Sequence, residues 1–518
     1  MSRSTPRVAC AALFALALAA ALGCHNFDFS SRYGSGEIDI FDDLFSVSVI
    51  DESHIVAVGY QGAVYWSEDG GENWHKGKVP TNRILYSVSM ANAQVGWAVG
   101  QLGTILRTED GAKTWTLQPN LKVDEGSHLF GVWALDDKTA IAVGEWGGRV
   151  VTHDGGATWV DHSLTVGLDN PQFVWLSFED QEKVRQGKKV YEDVSLQDVT
   201  CLPESPRAEA ARDVAGGGTR CWLIGEFGYI FFSDDRGENW ERGEILGDVR
   251  MDPILLKTDQ LELSDADRER LSEFSKRIVD EQHLNVLVDV FVDDKEIAKE
   301  YDRKKQDPEN LFDTISARLE ETKGVIEEAG LMSDRLRMYN KPPYDYADFL
   351  EHDPSFLDRY VEGRRSPDHG PAMIKVSVIQ NPFLFTVEFA NERQGLISGL
   401  GGVILRSEDG GKSWSYVETS RRQALFAVDT SADRAVAVGE KGLVQYSSDG
   451  GKSWAPPTDG QFPPIFTFMR DLGFATKGRL TGFIVGQDGM VLRSKDAGQT
   501  WTQVLPPPER RGPGSKFS

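Results

Sequence analysis

The sequence predicts an all-β fold: a seven-bladed β-propeller of four-stranded antiparallel blades, carrying an inserted, mainly α-helical subdomain. Three observations predict it. An octapeptide recurs seven times, a pair of glycines precedes each copy at a fixed distance, and strand-like segments repeat with a period that suits one blade. The octapeptide first reads SEDGGENW, Ser67 to Trp74, and returns as TEDGAKTW, THDGGATW, SDDRGENW, SEDGGKSW, SSDGGKSW and SKDAGQTW. Each copy contributes an aspartate and a closing tryptophan. These are Asp69 and Trp74, Asp110 and Trp115, Asp154 and Trp159, Asp235 and Trp240, Asp409 and Trp414, Asp449 and Trp454, and Asp496 and Trp501.

The glycine pairs are Gly59 and Gly62, Gly100 and Gly103, Gly144 and Gly147, Gly225 and Gly228, Gly399 and Gly402, Gly439 and Gly442, and Gly486 and Gly489. The consensus is G-x-x-G-x-x-x-x-[ST]-x-D-x-G-x-[TSN]-W, and its spacing does not vary. Such regularity marks repeated structure. Around it the second repeat reads LYSVSMAN, VGWAVG, GTILRTEDG and WTLQP, four short β-branched or alternating runs separated by turn residues. Four of the six intervals between consecutive motif tryptophans are 40–47 residues, the length of a blade. A four-stranded sheet cannot bury both faces alone, whereas seven stacked radially can, and closure removes long edges.

The motif residues therefore have structural roles. The glycine ahead of the [TSN] spacer supplies a positive φ, and the aspartate accepts N–H bonds across its own turn. The tryptophan begins the outer strand and buries its ring against a neighbouring sheet.

In chain order, residues 1–23 read as a signal peptide: Arg3 and Arg7 precede an apolar run from Ala11 to Leu22. The small residues before Cys24 resemble the bacterial lipobox, which implies lipidation of Cys24 and cleavage before it. His25, rather than Asp, follows it, and resemblance to enterobacterial sorting favours the outer membrane. Residues 24–43 form a linker. Blades one to four span 44–243, with insertions near 163–189 and 203–219. Residues 244–378 form the helical insertion, 379–506 hold blades five to seven, and 507–518 are a tail.

Of 4 cysteines, Cys10 lies in the signal and Cys24 at the anchor. Cys201 and Cys221 remain, flanking the 203–219 loop. They read as one disulfide in an oxidising compartment, with two free buried thiols as the alternative. No metal-ligand spacing occurs, and no cofactor is expected.

The large insertion changes pattern. SDADRERLSEFSKRIVDEQ opens on a Ser264 cap signal and carries Leu271, Phe274 and Ile278 at helical spacing. A second helix follows through Leu311, Ile315, Leu319 and Ile326, and DPSFLDRYVEGRR gives a third. NVLVDVFVDD alternates like a strand but could also extend a helix. By strand order, the insertion and the 163–189 segment lie on the face that carries the G-x-x-G loops. The insertion is either a stabilising brace or a partner-binding lid.

A net charge of −24, with no basic stripe, argues against nucleic acid as a partner. The repeats resemble the Asp-box of bacterial neuraminidases. With the preceding V-G-x-x-G they look more like the photosystem II stability and assembly factor family of seven-bladed propellers. That resemblance implies a non-catalytic scaffold for an envelope or membrane protein complex, touching the membrane through its lipid anchor alone. The alternative is an Asp-box surface glycosidase or a glycan-binding lectin, for which a sialidase would need three arginines, an acid–base Asp and a Tyr–Glu pair. Arg107, Arg406 and Arg493 recur before the Asp box, but on third strands, where they read as solvated. No phosphate-loop lysine follows the glycines. Loop-tip residues are the candidate partner-binding positions: Tyr60, Gln101, Glu145, Trp146, Glu226, Phe227, Lys441 and Gln487.

Overall fold

The structure is a computed structural model. It describes residues 42–505 apart from 169, 171–172, 174–175, 177, 203–218, 247–250, 282–283, 302–307, 340–354, 381, 420, 432 and 476–478. Cys24, the signal peptide and most of the 203–219 loop lie outside the described residues. No described helix is long and apolar enough to cross a membrane.

Seven antiparallel sheets follow one another along the chain, consistent with the seven-blade count. Their first, innermost strands are Leu44–Val49, Leu85–Met90, Leu129–Ala134, Leu196–Cys201, Leu384–Phe389, Leu425–Ser431 and Met469–Phe474. Each second strand is buried on both faces, as Ile55–Gly59, Ala140–Gly144 and Gly482–Gly486 illustrate. That burial explains their unbroken small and β-branched composition. The sixth sheet keeps three strands, with an isolated bridge between Tyr446 and Ala455 where the fourth would run.

The ring closes between the last sheet and the first. Trp74 meets Phe483 edge-on at 6.2 Å, and Arg493 donates to the Gly70 carbonyl at 2.9 Å. The Val47 N–H donates to Asp471 Oδ2 at 2.8 Å, on the innermost strands.

Every Asp box builds the same turn. In the first, Asp69 Oδ1 accepts from Ser67 Oγ at 2.8 Å and from the Asn73 N–H at 2.9 Å, while Oδ2 accepts from Asn73 Nδ2 at 2.7 Å. The Ser67 hydroxyl in turn accepts the Gly71 N–H. The same bonds recur at Asp110, Asp154, Asp235, Asp409, Asp449 and Asp496. Burial opposes ionisation at Asp69, but bonds from Asn73 and Ser67 outweigh it and hold the carboxyl below its usual range. Exposed Asp154 is held down to about 2, chiefly by the Thr158 hydroxyl. Six tryptophans are buried, Trp414 completely, and Trp240 is half-buried. Six of the seven indole N–H groups donate to the carbonyl three residues back, as Trp74 does to Gly71. Two successive residues of this turn are left-handed. The second is glycine in six copies and Ala112, at φ 68°, in the other, while the first is glycine in five copies and Arg236 or Ala497 in the remaining two.

Cys201 and Cys221 face each other on the first two strands of the fourth sheet and form a disulfide. Past Gly243 the chain changes blades: Glu244–Leu246 leaves the fourth sheet and pairs in parallel with the outermost strand of the fifth, Ser413–Val417.

The insertion that follows has a core of its own, and it contains a sheet as well as helices. Strands Ile254–Leu255, Met373–Gln380, Leu284–Phe291 and Leu336–Tyr339 lie side by side in that order. Helices Asp265–Ile278, Asp294–Glu300, Glu309–Glu328 and Phe356–Gly363 accompany them. Helix residues Leu271, Ile278, Leu311, Ile315, Leu319 and Ile326 pack with strand residues Val286, Val288 and Ile374. NVLVDVF is therefore strand, because its period-2 burial at Val286, Val288 and Val290 serves a sheet face. Within this core the Arg318 guanidinium and the Glu296 carboxylate are both fully buried and bonded to each other. In the smaller 163–189 segment, Phe178–Arg185 is helical.

Candidate partner-binding face

Each G-x-x-G loop is bonded to the start of its own innermost strand. The first tip residue donates its N–H to the carbonyl just before that strand, as Tyr60 does to Asp43, Gln101 to Ile84, Glu145 to His128 and Glu226 to Ser195. Leu400, Glu440 and Gln487 do the same with Phe383, Ala424 and Phe468. The loops and the innermost-strand N-termini therefore share one face.

Tyr60, Gln101, Glu145, Glu226 and Gln487 are half-buried in these loops. Glu145 Oε2 accepts the His128 N–H at 2.8 Å, and Glu226 Oε2 accepts the Ser195 N–H at 3.0 Å, so both acids brace the strand behind them. Lys441 is exposed and sits 3.4 Å from Glu440. The second tip residue is left-handed in all seven loops, and in six it is not glycine: Gln61, Leu102, Trp146, Phe227, Lys441 and Asp488. A bulky side chain in that conformation costs about 1–2 kcal/mol. Trp146 and Phe227 carry it while 52% and 45% exposed, on consecutive blades. Strain of this kind collects at functional sites.

Beneath the loops lies a ring that the sequence reading did not identify. Every innermost strand is bulged at its second residue, as the register jumps from Leu44 to Ser46, Leu85 to Ser87 and Leu384 to Thr386 show. The other four blades repeat the bulge. The unpaired residues are Phe45, Tyr86, Phe130, Gln197, Phe385, Phe426 and Arg470. A bulge re-aims the side chain it carries, and here it gathers one from each blade into a collar. Phe45 and Tyr86 meet at 5.9 Å, Tyr86 and Phe130 at 5.4 Å, and Phe385 and Phe426 at 5.3 Å. The Arg470 guanidinium lies 5.6, 5.1 and 5.0 Å from the rings of Phe45, Phe426 and Phe468. Enclosure lowers the arginine's pKa, against the pull of Asp43. Burial, with Glu145 nearby, pushes Tyr86 up to about 12. The available signal was a Phe, Tyr or Arg directly after the first apolar residue of six innermost strands.

Deeper in the ring, the third and fifth positions of the innermost strands stitch blade to blade. Ser46, Ser48, Ser87 and Ser89 accept backbone N–H bonds from the next strand on one side. On the other side carboxyls take over: Asp198 accepts from Val387, Asp429 from Phe474 and Asp471 from Val47. Enclosure pushes Asp198 up to about 6 and Asp471 to about 7. Glu388 is raised as well, by enclosure and then by the Asp429 charge. Arg479, 3.6 Å from Asp429, offsets part of this.

The three recurring arginines are not solvated strand-face residues. Arg107 donates to the Asp137 carbonyl, Arg406 to Gly450 and Arg493 to Gly70, each reaching the next blade. They fasten blades together, and no triple-arginine grip forms from them. Among the described residues no cluster of His, Cys, Asp or Glu is arranged to hold a metal ion.

The family described as photosynthesis system II assembly factor YCF48 matches residues 28–162 and 372–464. No curated protein sequence matches the chain. Among solved structures, YCF48 bound to D1 peptide aligns at 14% identity and TM-score 0.45, covering 91% of this chain and 96% of that one. YCF48 from Cyanidioschyzon merolae gives 14% and 0.45, with 88% and 96% covered. The GH74 xyloglucanase from Xanthomonas campestris gives 10% and 0.45, with 91% of this chain and 55% of that chain. Both matched stretches contain Asp-box repeats, and it is through them that the chain is similar to the photosystem II assembly factor YCF48 family.

Proposed function

We propose that the protein is a non-catalytic docking propeller that assists the assembly or stability of a membrane or envelope protein complex. It is exported and held at the cell envelope by a lipid on Cys24, with the outer membrane favoured. The observation that carries this reading is the construction of the loop face. Seven repeated bulges spend regular pairing to present a collar, and two neighbouring loops hold Trp146 and Phe227 exposed in a strained conformation. Exposed aromatics on rigid supports are what protein interfaces favour. Glycoside hydrolysis asks for two carboxyl groups facing each other across an open cleft. In the ring Asp198, Asp429 and Asp471 are occupied with backbone N–H groups of the neighbouring blade.

Capture from detergent-solubilised membranes of the source cells tests the reading. The full chain is expected to retain a membrane protein that a Trp146→Ser/Phe227→Ser variant loses. An identical captured set for both proteins would remove the loop face from the function. Cys24→Ser is expected to move the protein from the membrane fraction to the soluble one.

A further inference from the structure

Resting on the partner-docking reading, we propose that the collar receives a cationic, extended segment of the partner polypeptide, a Lys or Arg side chain lodging against Tyr86 and Phe130 beside Gln197.

The collar already shows which chemistry it accepts. On one side its rings enclose a guanidinium of the chain itself, Arg470, among Phe45, Phe426 and Phe468. The opposite side has the same kind of aromatic wall without an internal cation. Tyr86 lies 5.4 Å from Phe130 and stacks on His128 at 6.1 Å with 24° between the planes. Among the described residues no Lys or Arg lies over Tyr86 or Phe130. At the next blade the bulge carries Gln197, half-buried and neutral, so the wall of rings is interrupted there. A cation over aromatic faces is attracted by the negative potential of the rings, the more so as water is excluded.

Charge around this opening favours the same occupant. Glu145 sits beside His128, 3.2 Å from its Nδ1. Glu226 is raised by its enclosure and, further, by the charges of Asp193 and Glu145. One position deeper than Gln197 is Asp198, whose charge helps to raise both Glu388 and Asp471. A carboxylate entering here meets repulsion, whereas an ammonium or guanidinium relieves it. Trp146 and Phe227, on the loops of the blades that carry Phe130 and Gln197, give apolar surface for the residues on either side of the cation. The proposed segment thus combines one basic residue with apolar neighbours.

Three labelled peptides of one length test this by fluorescence anisotropy with the full chain. All carry a phenylalanine flank, and their central residues are Lys-Arg, Gln-Gln or Glu-Glu. The basic peptide is expected to bind about tenfold tighter than the acidic one, and Phe130→Ala to weaken it by about tenfold. Gln197→Arg, which places a fixed cation in the opening and removes no packing, is expected to do the same. That variant keeps the test decisive where Phe130→Ala fails to fold. Equal binding of the three peptides, a preference for the acidic one, no binding at all, or indifference to Gln197→Arg overturns the proposal. So does a self-dimer that Gln197→Arg abolishes, which would make a second copy the occupant. Membrane capture separates the two readings. A partner retained equally by wild type and Gln197→Arg leaves the docking function standing and discards the collar as its seat. No capture by either discards the docking function, and the peptide comparison then decides the collar alone.

Discussion

At the scale of single residues, left-handed backbone falls mostly on glycine in the Asp-box turns and mostly on other residues at the loop tips. In the Asp-box turns this conformation falls on glycine at most positions and on Arg236, Ala497 and Ala112 at the rest, Ala112 being fully buried at φ 68°. Its methyl packs in the cluster of Val56, Val64, Leu106 and Trp115, yet carries strain that a glycine there would not. Ala112→Gly is therefore expected to raise unfolding stability by about 0.5–1 kcal/mol in urea titration, with strain relief partly offset by greater freedom of the unfolded chain. A loss of stability would mean that the methyl packs well enough to outweigh its strain. The loop tips differ, because Trp146 and Phe227 bear comparable strain while exposed, so burial does not repay it within the chain. The loop-tip aromatics are therefore the positions on which the proposed docking function is best tested.

At the scale of elements, the contacts between blades decide whether sheets become a ring. Arg493 belongs to the last blade, and its donation to Gly70 and Glu72 of the first helps fasten the closure. Arg493→Ala is expected to cost about 1–2 kcal/mol, and amide hydrogen exchange should rise first in the strands around Gly70 and Val491. Exchange rising evenly across all blades would place the closure elsewhere. The Asp boxes were legible in the sequence because a turn with a fixed bond pattern tolerates no change of spacing, from Ser67 to Trp74 or from Ser494 to Trp501. The collar was not. A bulge needs no special residue type, so Phe45 or Arg470 reads as one more strand position until the register is seen to slip. The insertion was half legible. Its helices follow from the spacing of Leu271, Phe274 and Ile278, but a strand such as Met373–Gln380 declares itself only when Leu284–Phe291 lies beside it. The arginines were misjudged for a similar reason, since only the neighbouring blade shows what Arg107 and Arg406 reach.

For the whole molecule, two sets of carboxyls pull stability in opposite directions with pH. The Asp-box carboxylates are held below their usual range, Asp154 to about 2. Their contribution is complete above the unfolded value near 4 and is lost as pH falls toward 2. The ring carboxyls behave in reverse. Asp198 is raised to about 6 and Asp471 to about 7, and enclosure raises Glu388 and Asp429 also. The folded chain keeps these protons while the unfolded chain has released them near pH 4. Their contribution is therefore full below about pH 4 and declines as pH rises through 6 and 7. Together the two sets place the highest melting temperature between about pH 4 and 6, with a fall toward pH 8. The net charge of −24 adds self-repulsion over the same interval, so the decline alone does not identify its source. Asp471→Asn separates them. It removes one titrating group from the ring and alters the net charge little, so the drop in melting temperature from pH 5 to pH 8 is expected to shrink measurably even if the variant is less stable at every pH. A drop of unchanged size would assign the decline to overall charge, and a melting temperature that climbs steadily to pH 8 would mean that the ring carboxyls ionise freely where they stand.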